Sequence, residues 1–133
     1  MKWYSIILIA LLCLGCKKNN SNNTQYYVKY VIDGKSSIQQ MNNTGLKITL
    51  INEKSVSVDY IRSNRGSNEF IVGPVNKGFA SSLSGTNVCC ALCCYISPNL
   101  QIFVSENNGP FVLKKEDLST QLRDAAQISY TIE

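Results

Sequence analysis

The sequence predicts an all-β fold, a small antiparallel β-sandwich with one short helix near the C-terminus, and a small barrel as the alternative. Apolar, β-branched and aromatic residues alternate with polar ones in many short runs, Gly-, Asn- and Ser-rich breaks separate these runs, and apolar residues recur at helical spacing in a single stretch. An apolar sheet face left in water costs roughly 25 cal/mol per Å². Two sheets that cover each other's apolar faces are the common remedy. A barrel satisfies the same alternation while removing the edges.

The first strand runs from Tyr26 to Asp33, with Tyr26, Val28, Tyr30 and Ile32 on one face and Tyr27, Lys29, Val31 and Asp33 on the other. Asp33-Gly34 marks a turn. Leu46 to Asn52 follows, its apolar face formed by Leu46, Ile48 and Leu50, and Asn52-Glu53-Lys54 links it as a hairpin to Val56 to Arg62. Val56, Val58 and Tyr60 share a face there. Ser63 to Asn68 is turn-rich, and Glu69 to Val72 is a strand that Pro74 keeps from being an uninterrupted central one, since proline cannot donate to a ladder. Phe79 to Leu83 reads as a short edge strand.

Leu100 to Ser105 points Leu100, Ile102 and Val104 inward, and Asn107-Asn108-Gly109-Pro110 turns the chain into Phe111 to Leu113. The final strand, Ala126 to Ile132, places Ile128, Tyr130 and Ile132 together. Between these last two runs, Lys114 to Ala125 spaces Leu118 and Leu122 as a helix does, with Glu116 and Asp117 suited to a first turn and Arg123 to a last one. This stretch is the expected helix.

Ahead of the first strand stands a different kind of sequence. Met1-Lys2-Trp3-Tyr4 is a short basic start, Ser5 to Leu12 is almost continuously apolar, and Cys13-Leu14-Gly15-Cys16 closes the run. Positive flank, apolar core and small residues make a secretory signal, and the run is shorter than the 20 or so residues a spanning helix needs. Leu12-Cys13-Leu14-Gly15-Cys16 resembles the bacterial lipoprotein signal, in which the cysteine after a small residue is acylated and becomes the new N-terminus. Cys13 departs from that pattern, which usually has Leu there, and an ordinary secretory peptide is the plainer alternative. The resemblance implies residues 1–15 as signal peptide, lipidation of Cys16 with palmitate-type chains, and a membrane-anchored lipoprotein of the cell envelope facing the periplasm or the exterior. Several acyl chains hold a domain at a membrane durably where one is marginal.

Residues 17–25, Lys-Lys-Asn-Asn-Ser-Asn-Asn-Thr-Gln, hold nothing to bury and read as a tether from the lipidated end at Cys16, leaving 26–133 as a single domain. The opening Tyr26-Tyr27-Val28-Lys29-Tyr30 with Gly34 resembles small exported β-domains of lipoproteins. Removing residues 1–15 takes one positive charge, Lys2, from a net +4 and leaves +3. So small a charge, without a basic run, excludes nucleic acid as the expected partner. The chain has no histidine, which rules out His-dependent triads and mixed Cys/His zinc sites.

Cys89-Cys90-Ala91-Leu92-Cys93-Cys94 is the chemically unusual segment of the domain. In an oxidising compartment these four thiols are expected to pair. Cys90 with Cys93 closes a tight turn and Cys89 with Cys94 joins the flanking strands, whereas Cys89 with Cys93 or Cys90 with Cys94 needs a helical turn. A thiolate metal site on Cys89, Cys90, Cys93 and Cys94 is an alternative, easier for Cu(I) than for a four-thiolate zinc. Redox exchange through Cys90-Ala91-Leu92-Cys93 is another, weakened by the lack of a βαβ unit.

Other candidates have simpler explanations. Asp33, Glu53, Asp59, Glu69, Glu106, Glu116, Asp117 and Asp124 fall at turns or on outward faces and read as solvated surface rather than a glycosidase pair. Among the tyrosines at 26, 27, 30, 60, 95 and 130, Tyr30, Tyr60 and Tyr130 accompany apolar residues and read as packing. Tyr27, sharing its face with Lys29 and Asp33, is the best outward one. Arg62, Arg65 and Lys77 are the loop cations available to an anion. The expectation is a non-catalytic structural or binding module, without cofactor, tethered to the membrane and facing an envelope protein or glycan; a thiol-based metal or redox module is the alternative.

Overall fold

The computed structural model describes residues 24–36, 45–63, 66–88, 96–119, 121, 123 and 125–133. Eight strands follow in chain order: β1 (Tyr26–Ser36), β2 (Gly45–Ile51), β3 (Ser57–Ser63), β4 (Gly66–Val75), β5 (Ala80–Val88), β6 (Ile96–Glu106), β7 (Val112–Leu118) and β8 (Ala125–Thr131). They form two four-stranded sheets with the orders β4-β1-β6-β7 and β3-β2-β5-β8, and every pairing is antiparallel.

Alternation decides which side chains meet. Val28, Tyr30 and Ile32 of β1 lie opposite Val104, Ile102 and Leu100 of β6, and Leu46, Ile48 and Leu50 of β2 lie on the corresponding face of the other sheet. All nine are buried, and together with Val72, Leu83, Ala126, Ile128 and neighbours they form one apolar cluster drawn from both sheets. Beyond the ladders, the rings of Tyr60 on β3 and Phe70 on β4 close one side, with centroids 4.7 Å apart and planes tilted by 35°.

Local chemistry fixes the connections. In the β2–β3 hairpin the Asn52 side-chain oxygen accepts from the backbone N–H of both Lys54 and Val56 at 3.0 Å, and Ser55 takes a positive φ of 59°. After β6, Asn107 and Asn108 both have positive φ, and Gly109 N–H donates to the Glu106 carbonyl at 2.8 Å, as a primed turn requires. Asn107 also reaches the residue just ahead of β1: its N–H donates to the Gln25 carbonyl at 2.8 Å and its Oδ1 accepts from Gln25 N–H at 3.0 Å.

Four expectations need correction. The stretch Lys114 to Ala125 is not helical where it is described, and no helix occurs among the described residues: Lys114 to Leu118 belong to β7, and Ala125 opens β8. The pairs Ile102↔Lys115, Gln101↔Glu116 and Leu100↔Asp117 supply the backbone bonds that a helix would have made locally, and Asp117 pairs with Arg123 at 2.8 Å instead of with a helix dipole. Leu122 and Asp124 lie outside the described residues. β1 does not turn at Asp33-Gly34 but continues to Ser36, because β6 extends beside it as far as Ile96.

β5 is an interior strand longer than the expected edge strand, its inward positions being Ser81, Leu83 and Gly85. Ser81 is tolerated there because its hydroxyl donates to the Tyr130 carbonyl at 2.6 Å. β4 begins at Gly66, inside the stretch expected to be all turn. Pro74 does sit on an edge strand, at a register shift where Gly73 adopts φ 141°. A Cβ on Gly73 would lie 2.9 Å from the Tyr26 carbonyl oxygen, so only glycine fits.

Tyr30 joins the sheets by a polar contact inside the apolar layer. The β2–β5 ladder ends at Leu50↔Leu83, so the next residues on those strands are Ile51 and Ser82. The Tyr30 hydroxyl, arriving from the other sheet, donates to the Ile51 carbonyl at 2.9 Å and accepts a backbone hydrogen bond from Ser82. Burial pushes the phenol well above its ordinary range, and the Ser82 bond offsets only part of that.

Tyr30→Phe is expected to cost about 1–3 kcal/mol in urea unfolding at neutral pH, since it strands two backbone groups at the end of the ladder. The phenol's raised value makes wild-type stability fall as pH rises through the ordinary tyrosine value near 10. The unfolded chain then releases a proton that the folded one keeps, so the variant should lack this alkaline loss.

Candidate functional site

The outward face of the first sheet departs from the polar surface that alternation would suggest. One register row crosses all four strands, Ile71 of β4, Lys29 of β1, Phe103 of β6 and Leu113 of β7. Ile71 is 62 % and Leu113 40 % exposed. Lys29 Nζ lies 4.8 Å from the Phe103 ring centroid and 5.2 Å from that of Phe111, so two aromatic faces hold a half-buried ammonium in the middle of the row. The next row, Glu69, Val31, Gln101 and Glu116, brings an acid at each end, with Gln101 Nε2 donating to Glu116 Oε2 at 3.3 Å. An apolar strip rimmed by charge is the usual form of a contact surface.

Tyr27 lies on this face beside Lys29, as its position in β1 predicts, and is half-buried over Gly73. Phe103 and Ile71 are contributions that sequence reading missed. The signal was present: each is a large apolar residue on the off-face of its own strand, between inward neighbours.

The outward face of the second sheet is mostly polar, with Ile61 and Val88 exposed on it near Gly45. Thr49, Ser84 and Gln127 share one row and Ser82 and Ser129 another, with Gln127 Nε2 donating to Ser82 Oγ at 3.2 Å. Thr49 Oγ1 donates to Asp59 Oδ1 at 2.6 Å, and Lys47 Nζ stands 2.9 Å from Asp59 Oδ2. The Thr49 hydroxyl first, and Lys47 second, hold the Asp59 carboxyl below the usual carboxylate range.

A cleft of about 280 Å³ opens where the edges β7 and β8 of the two sheets face each other. Its apolar lining comes from Val104, Val112 and Ile132, with Tyr26 and Tyr130 beside them. Glu106, Glu133 and Lys114, all three exposed, line it with Gly109 and Pro110 of the turn.

The remaining candidates are dispersed. Arg62 lies over the Tyr60 ring at 5.5 Å, and Lys77 stands exposed before Gly78. Tyr30, Tyr60 and Tyr130 pack in or against the core. No group of three or more Cys, Asp or Glu placed to hold a metal ion occurs among the described residues. Cys16, Cys89, Cys90, Cys93, Cys94, Tyr95, Arg65 and Asp124 lie outside the described residues. No family model matches the chain, and neither a curated protein nor a solved structure matches it.

The lowered value of Asp59 carries a pH signature. Its contribution is present above the ordinary carboxylate range and is lost as pH falls through its own lower value. Asp59→Asn is therefore expected to lower the thermal midpoint slightly at neutral pH and to converge with wild type in acid, the whole difference being small because the group is exposed.

Proposed function

We propose that this chain is a membrane-anchored lipoprotein of the cell envelope whose single domain, 26–133, is a β-sandwich that binds and does not catalyse. The sandwich reading is supported by two separate four-stranded sheets that contribute to one apolar cluster. A barrel would need pairing between the sheet edges, and the ladders stop at β3, β4, β7 and β8. The anchor is supported by Gly15-Cys16 after the Leu-rich core and by a polar run leading into β1.

The binding role rests on one observation, the outward row Ile71, Lys29, Phe103 and Leu113, exposed at both ends and half-buried between. A face built this way costs solubility and gives the core nothing, so its use lies in contact with another envelope molecule, protein or glycan. In this reading Cys89, Cys90, Cys93 and Cys94 pair as disulfides, since export delivers them to an oxidising compartment.

Metabolic labelling with an alkynyl fatty acid, followed by fractionation of the cells, tests the anchor. Labelled wild-type protein is expected in the membrane fraction, and Cys16→Ser should abolish the label and release the protein; an unlabelled chain still beginning at Met1 would refute the anchor. Thiol titration under denaturing conditions, on protein purified without reductant, should find no free thiol and no stoichiometric metal. Two or more reactive thiols, or one tightly held ion per chain, would establish the thiol-based module instead.

A further inference from the structure

Four strands end the two sheets, and three of them carry the features that keep edges from pairing with other chains. β4 has Glu69 and Pro74, β7 has Lys114, Lys115, Glu116 and Asp117, and β3 has Asp59 and Arg62. β8, Ala-Ala-Gln-Ile-Ser-Tyr-Thr, carries neither a charge nor a proline.

The direction of its backbone groups follows from two contacts. Ile132 N–H donates to the Phe79 carbonyl at 3.1 Å and the Ile132 carbonyl accepts from Gly78 N–H at 2.8 Å, so Ile132 faces the chain leading into β5. Ser82, opposite Ser129, sends its N–H away from β8 to Tyr30. Strand alternation then turns the N–H and C=O groups of Gln127, Ser129 and Thr131 toward the edge that no described strand pairs with. These donors and acceptors, two residues apart, match the repeat of another extended backbone.

Beside this edge lies the cleft lined by Tyr130 of β8, by Ile132 just after it and by Val112, which is 51 % exposed. A strand added to β8 would alternate its side chains between that apolar cleft and the Ser- and Gln-rich outer face. Glu106 and Glu133 outnumber Lys114 around the cleft, so a basic residue two positions from the inserted apolar one, and therefore on the same side of the added strand, is favoured. A second copy of the chain would offer its own β8, which has no basic residue.

We infer that β8 accepts an extended peptide segment of a partner protein, alternating apolar and polar with one basic residue, by strand addition along Gln127, Ser129 and Thr131. This names a partner for the binding domain proposed above and does not depend on the lipid anchor, so its failure would leave the Cys16 result intact.

The probe is the synthetic peptide Gly-Ser-Val-Thr-Val-Thr-Lys-Ser-Gly, whose two valines and lysine share one face of an extended strand, titrated into purified protein with amide hydrogen exchange and fluorescence anisotropy as readouts. Binding is expected to protect the amides of Gln127, Ser129 and Thr131. Replacing the probe's lysine by glutamate should weaken binding at least about tenfold, or about 1.4 kcal/mol, and N-methylation of alternate peptide nitrogens should abolish it. Ser129→Pro, which removes one outward donor from an edge position where proline is tolerated, and Val112→Lys, which fills the cleft with charge, should each weaken binding while unfolding curves stay near wild type. No binding at about 1 mM, equal binding of the N-methylated probe, or amides already protected in a concentration-dependent dimer would each overturn the inference, the last in favour of a second copy.

Discussion

A hydroxyl buried between two apolar faces must find partners or cost the fold more than most single contacts contribute. Tyr30 finds them where the β2–β5 ladder runs out, on the carbonyl of Ile51 and the amide of Ser82. That solution constrains the relative placement of the two sheets in a way apolar contacts do not, because hydrogen bonds have direction and oily surfaces slide. β1 and β6 hold Tyr30 opposite Ile102, β2 and β5 stop at the right residue, and the remaining core fills in around this junction.

The strands that were legible in the sequence are those with one wet and one dry side. β1, β2, β6 and β8 each place three or more aliphatic or aromatic residues at alternating inward positions, and burial follows that pattern. β5 is an interior strand with little of this signal, since Ser81 and Gly85 occupy two of its inward positions and Ser81 is satisfied by a carbonyl visible only in three dimensions. β7 failed for a different reason. Almost every residue in it is exposed, so no alternation is imposed on it, and its Leu and charge spacing imitated a helix.

The same distinction separates what could be read of the candidate surfaces. Tyr27, Lys29 and Asp33 share a face because a strand has period two, and that needs no structure. Phe103 and Phe111 come to Lys29 through the β1–β6 register and the turn at Asn107-Asn108, and the cleft needs β1, β6, β7 and β8 at once. Sequence pattern reports which side of an element is dry; it is silent on which elements become neighbours.

β1 also determines how the domain would bear a load. It is the first of the described strands, it is hydrogen-bonded along both flanks by β4 and β6, and both neighbours run antiparallel to it. Tension entering through the chain ahead of Gln25 runs along the length of β1, so two ladders must give way together by sliding rather than one bond at a time by peeling. A domain entered through an edge strand would open like a zipper under the same pull; this one meets traction with its most heavily bonded element.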